Sequence, residues 1–208
     1  MGSKTRINSV VLFLLLFGVL IPFESSAQTT FEQLRSRFDE GQIFKAQFSH
    51  TYLDSYTEES TTSDGQIWIN AVGYRLESEP QVIVVDGTLS QVYDGSRNRV
   101  IISDYEADED DFAPSRMLSG IDETYTSSES DLENGNVLIT LETDDDFAAF
   151  ITVEIEVDAN FIPIKITAYD IADNIISTIF ESGEFIAEDE SVFEFTHPED
   201  AEIVDMRY

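Results

Sequence analysis

Two histidines, His50 and His197, are the side chains here whose ordinary titration point lies near neutral pH. They are far apart in sequence and neither has a patterned partner. A ligand role needs a cluster of donors, so His50 reads as a core or rim residue and His197, before Pro198, as a loop residue. Forty-two acidic residues make carboxylate pairs at glycosidase spacing inevitable by chance. Such a pair acquires meaning only where its surroundings split the two pKa values. The chain has no cysteine, which excludes a thiolate nucleophile, cysteine-ligated metal and disulfides. The nucleophile elbow, the P-loop, the zincin motif and the EF-hand loop are all missing from the sequence. The residues therefore read as a binding protein rather than an enzyme, without metal or cofactor.

What remains is apolar surface, and its spacing tells which elements must hold it. Residues 29–40 read as a helix. Thr29 and Glu32 have capping-box spacing, Phe31, Leu34 and Phe38 share one stripe, and Gly41 is a suitable stop. From Ile43 the period becomes two. Phe44, Ala46, Phe48, His50 and Tyr52 share one face of a strand; Lys45, Gln47, Ser49 and Thr51 share the other. Residues 56–64 read as a polar loop. Strands follow over 65–70, 73–78, 82–85, 88–93 and 99–103, with turn signals at Asp86-Gly87 and Asp94-Gly95. The pattern then breaks at the acidic run 106–111. After it, 111–120 reads as a loop and short helix carrying Phe112, Met117 and Leu118.

Strands resume over 125–133 and 137–142 around Asn134-Gly135. Ile151, Val153, Ile155 and Val157 then alternate with polar residues, as do Ile162, Ile164, Ile166 and Ala168. Segments 175–180 and 192–195 complete the set. About eleven short strands with turns between them imply a meandering antiparallel sheet or barrel. Two short helices cover such a sheet only if it curls. A curled sheet encloses either a solid core or an apolar hollow, and periodicity leaves both open.

Charge narrows the partners. Acids outnumber bases 42 to 11, a net charge of −31, and such a surface repels nucleic acid and anionic headgroups. An apolar content of 42% excludes a disordered acidic chain, and the surface suits a salt-rich habitat. Residues 1–27 read as a cleaved signal peptide: Lys4 and Arg6, an apolar run over 10–21, then Ser25-Ser26-Ala27. The expectation is one domain over 28–208, exported to the periplasm.

Several segments together resemble the LolA-like outer-membrane lipoprotein carrier proteins. The helix leading into FKAQFSHTY at 44–52 resembles that family's opening, GQIWI at 65–69 and GYRLESEP at 73–80 its next strands. VDG at 85–87 and VYD at 92–94 match its turn and aromatic strand. DFAPSRMLSG at 111–120 falls at its lid, and FEFTHPEDAEIVD at 193–205 at its closing strand and tail. The resemblance implies an incomplete, unclosed antiparallel β-barrel with an N-terminal helix, a central helical lid and an apolar cavity. It implies a carrier that takes acylated lipoproteins from an inner-membrane ABC transporter and delivers them to an outer-membrane receptor, acting as a monomer. The expected acyl-lining set is Phe44, Phe48, Tyr52, Trp68, Ile151, Val153, Ile155, Ile164 and Ile166. Phe112, Met117 and Leu118 form the expected lid. Family members carry a latch arginine just after the GQIWI-like strand. Here that stretch is Asn70-Ala71-Val72, and Arg75 is the candidate substitute. A sensor of the same fold and a hydrolase of envelope lipids or sugars are the alternative readings.

Overall fold

The computed structural model describes residues 28–110, 113–119 and 124–207. The leader at 1–27 and Phe112 lie outside the described residues. Helix α1 (Thr30–Asp39) starts as its sequence dictates. Thr29 Oγ1 accepts from the Glu32 N–H at 3.2 Å, and the Glu32 carboxylate accepts from the Thr29 N–H at 2.9 Å. Phe31, Leu34 and Phe38 are its buried stripe. Gly41, at φ 79, turns the chain out of the helix in a conformation that costs other residues strain.

The strands are β1 (Ile43–Leu53), β2 (Ser60–Ile69), β3 (Tyr74–Ser78), β4 (Gln81–Val85), β5 (Leu89–Asp94) and β6 (Arg99–Asp104). After the short helix α2 (Pro114–Ser119) come β7 (Thr126–Asp131), β8 (Val137–Glu142), β9 (Thr152–Val157), β10 (Pro163–Tyr169), β11 (Ile175–Ile186) and β12 (Glu202–Asp205). They make one sheet of twelve strands in the order β12-β6-β5-β4-β3-β2-β1-β11-β10-β9-β8-β7. Every neighbouring pair is antiparallel except β12 and β6. The edge strands β12 and β7 do not pair with each other among the described residues, so the curled sheet stays open.

The helices sit on the inner face. Phe31, Leu34 and Phe38 of α1 and Met117 and Leu118 of α2 join one core with Phe44, Phe48, Ile67, Ile69, Ile139, Val153, Ile155, Ile166 and Phe180. The α1 N-terminus is held over β7 by Glu129, whose carboxylate accepts from the Thr30 and Phe31 N–H groups at 3.1 and 2.7 Å. A carboxylate there also meets the positive end of the helix dipole. A smaller outer core joins Ile43, Val84 and Phe193, flanked by Trp68, Val82, Ile186, Val192 and Phe195. The C-terminal segment thus crosses the outer face.

Three expectations are corrected. There are twelve strands, because the tail residues 202–205 add a parallel edge strand to β6. Residues 192–195 are not a strand; the segment Glu190–Phe193 is a 3₁₀ turn that seats Phe193 on the outer core. The polar stretch after Ser60 is paired with the end of β1, from His50↔Ser63 to Leu53↔Ser60, rather than looped. Its polar side chains are exposed, so period gave no sign of a strand there.

Candidate functional site

The alternation read in β1 sets the geometry. Phe44, Ala46, Phe48, His50 and Tyr52 face inward, in step with Ile67 and Ile69 of β2 and Phe180, Thr178 and Ile176 of β11. At the α1 end this face is solid. Phe44 is fully buried, edge-to-face with Phe180 at 5.2 Å between ring centroids and tilted against Phe185 at 5.5 Å. Farther along the strand the packing opens into a cavity of about 200 Å³ beneath α2. Its walls come from β1, β2, β3, β4, β10 and β11: Phe48, Ile67, Leu76, Ile83, Ile166 and Ile176 are the apolar lining, and Pro114 and Met117 of α2 roof it. Gly65 stands opposite Phe48, and a Cβ there would come within 2.9 Å of the Phe48 ring and 2.0 Å of the Glu77 carbonyl oxygen. A larger open cleft of about 590 Å³ on the outside is ringed by Asp86, Glu188, Asp189, Glu190 and Glu194, a rim unsuited to hydrocarbon.

The expected acyl-lining residues divide into groups. Phe48 and Ile166 line the cavity, while Phe44, Val153 and Ile155 belong to the packed core around it. Tyr52 stands beyond the cavity on the same face, 37% exposed. Ile164 is a correction. The ladder pairs Pro163 with Val157 and Lys165 with Glu156, so Ile164 is the extra residue of a bulge and Pro163 takes the inward place. Ile151 is another correction. Phe150 occupies the core position ahead of β9, and Ile151 lies half-buried in a polar surface depression beside Thr126 and Glu142.

Trp68 and Arg75 are corrections of side. They pair with each other across β2 and β3, out of phase with Ile67 and Leu76, and therefore face outward. Lys45 and Arg75 both stack on the Trp68 ring, at 6.0 and 5.9 Å from its centroid. Arg75 binds Glu77 at 2.6 Å and donates to the carbonyls of Val192 and Glu194, both at 3.1 Å. It fastens the C-terminal segment, not the lid.

The contact that tethers the lid segment is one the sequence did not reveal. Tyr74, on β3, donates its hydroxyl to the Asp110 carboxylate at 3.0 Å, just ahead of α2. Burial, then the Asp110 charge, raise the Tyr74 phenol well above its ordinary range. Tyr105 lies near the same carboxylate. Its hydroxyl is buried without a partner in hydrogen-bond geometry, and burial followed by the Asp110 charge pushes its pKa up to about 12. Both phenols stay neutral and able to donate at physiological pH. Met117 and Leu118 are buried on the inner core. His50, on the cavity wall, is lowered below its ordinary value by burial.

No family model and no curated protein matches the sequence. Among solved structures, a conserved protein from Thermus thermophilus superposes with a TM-score of 0.54 at 14% identity, covering 85% of this chain and 99% of that one. A LolA superfamily protein from Nitrosomonas europaea gives 0.42 at 12% identity, over 80% and 98%. An outer membrane lipoprotein-sorting protein domain from Vibrio parahaemolyticus gives 0.43 at 12% identity, over 79% and 94%. The Thermus likeness carries the fold: an unclosed, mainly β sheet with helices on its concave face.

Proposed function

We propose that the protein is a periplasmic carrier that shelters the acyl chains of lipoproteins in the hollow of its curled sheet. The observation that carries this reading is the apolar cavity beneath α2. A packed interior leaves few voids larger than a water molecule. An apolar void of about 150 Å³ takes one benzene-sized ligand, so about 200 Å³ takes only part of an acyl chain. In this reading α2 is a lid in its closed position, and a whole chain requires α2 to move away from the sheet. Each buried methylene contributes about 0.8 kcal/mol. A chain of about fifteen carbons gains roughly 12 kcal/mol gross on that scale, enough to keep it from water. Delivery needs release, and a lid that opens weakens the hold by exposing the hollow.

In this reading the protein binds and releases without making or breaking bonds. Residues 1–27 direct export and are removed. An inner-membrane ABC transporter loads the carrier, and an outer-membrane receptor unloads it. The LolA resemblance of the segments around β1, β2, β3 and α2 supports this sequence of partners. Mass spectrometry of the protein purified from its own cells tests the reading. Co-purified acylated lipoprotein or lipid is expected; a preparation free of both would count against it. Hydrogen exchange over 113–119 should quicken when an acylated peptide is bound. Identical exchange with and without the peptide would remove α2 from the role of lid.

A further inference from the structure

The cavity is not uniformly apolar, and its polar side chains are ordered. Ser63, His50 and Thr178 are direct cross-strand partners on β2, β1 and β11, and all three line the cavity. They form one row across three strands. One step inward along β1 the row is replaced by Gly65 on β2, Phe48 on β1 and Phe180 on β11. One step outward stand Tyr52, 37% exposed, and its β11 partner Ile176, which is buried and also lines the cavity; beyond Leu53 comes the solvent-facing loop. On the β1 and β2 side the row therefore marks the passage from hydrocarbon wall to exposed strand ends, while on β11 the wall stays apolar beyond it through Ile176. The other hydroxyl on the cavity wall, that of Tyr74, is already committed to Asp110.

From this arrangement, and resting on the acyl-carrier reading, we infer that the Ser63–His50–Thr178 row is a carbonyl-binding site that fixes the depth and direction of the bound acyl chain. The chain enters methyl end first along Phe48, Ile67 and Phe180, and its ester or amide carbonyl stops at the row. Thr178 Oγ1 and His50 Nδ1 are 2.9 Å apart. With the Thr178 hydroxyl donating to Nδ1, the neutral ring carries its proton on Nε2. Nε2 makes no hydrogen bond among the described residues and stays open to solvent, and so to a ligand. A carbonyl oxygen drawn from water loses its hydrogen bonds, and a waiting donor at the border restores one. A group past the carbonyl, such as the glycerol or peptide of a lipoprotein, then lies outside Tyr52. Burial lowers the His50 pKa, so the uncharged ring offers a carboxylate no counter-charge, and a chain of net charge −31 repels an anion; a neutral ester is the expected ligand.

The test uses three small ligands that displace a fluorescent acyl probe from the protein at pH 7.5: methyl octanoate, undecane of equal heavy-atom count, and octanoate. His50→Phe and Thr178→Val remove the polar atoms while keeping shape, and urea midpoints confirm that each variant folds. Thr178→Val keeps the test decisive should His50→Phe fail to fold. The expected result is methyl octanoate affinity falling about tenfold in His50→Phe and about threefold in Thr178→Val, with undecane unchanged or tighter. Ester and alkane shifting together, or neither shifting, overturns the carbonyl site while leaving the carrier reading in place. Octanoate binding without the ester would also overturn it, since that marks an anion site. Failure of the wild type to bind any of the ligands overturns the carrier reading and this site with it.

Discussion

Replacing Leu76 by Phe separates a hollow from a packed core. Leu76 lines the cavity, whereas Leu141 is 1% exposed in the solid part of the same inner face. Swapping an isobutyl group for a ring adds roughly one water's volume, ~30 Å³. In a close-packed core this overpacking costs about 1–3 kcal/mol, the expected loss for Leu141→Phe. In a cavity of about 200 Å³ the ring finds space. Leu76→Phe should then change stability by no more than ~0.5 kcal/mol, the extra apolar burial offsetting residual strain. With a urea dependence of about 2 kcal/mol per molar, the two midpoints should differ by roughly 0.3–1.5 M. Leu76→Phe also removes about one methylene's worth of space, so acyl-probe affinity should fall about fourfold on the ~0.8 kcal/mol scale. Equal destabilisation by both substitutions, with probe binding unchanged by Leu76→Phe, would refute the hollow.

Tyr74→Phe removes the hydroxyl bound to Asp110; losing a part-buried hydrogen bond to a carboxylate should cost about 1 kcal/mol and quicken exchange over 113–119 about fivefold, and unchanged exchange would dismiss the tether. His50 has a folded pKa lowered by burial, so its contribution is fully present above its unfolded value of about 6.5 and is lost as pH falls below that toward the folded value. Urea midpoints measured between pH 7.5 and 5 should therefore drop less in His50→Phe than in wild type, and parallel curves would remove His50 as a cause. With 42 acids against 11 bases, self-repulsion is screened by salt, so Tm should rise from low salt to molar potassium chloride; a flat or falling trend would contradict a salt-adapted surface.

The elements were legible where one face was wet and the other dry. Phe44–Phe48 and Val153–Ile155 alternate cleanly, and both sets face inward as their period requires. The capping box at Thr29 and the turn at Asn134-Gly135 were equally plain, with Gly135 at φ 86. Phase, rather than period, produced the misplacements. In GQIWI the inward residues are Ile67 and Ile69, which leaves Trp68 outside however apolar it is. The bulge at Ile164 shifts phase within one strand, and no residue type announces it. The tail was misread because its partners lie about a hundred residues away, Glu202 on Arg99 and Ile203 on Val100. The tether of Tyr74 to Asp110 spans 36 residues and follows only from the closure of the sheet, so neither residue stood out in the chain. The row of Ser63, His50 and Thr178 was half legible: His50 lay on the apolar face, but its partners needed the register.

The central claim is that the hollow holds acyl chains, and titration of residues 28–208 with a triacylated peptide and its unacylated twin tests it most directly. The account predicts saturable one-to-one binding of the acylated peptide, weakened by Leu76→Phe, and no binding of the twin. Equal binding of both peptides, or of neither, would contradict it.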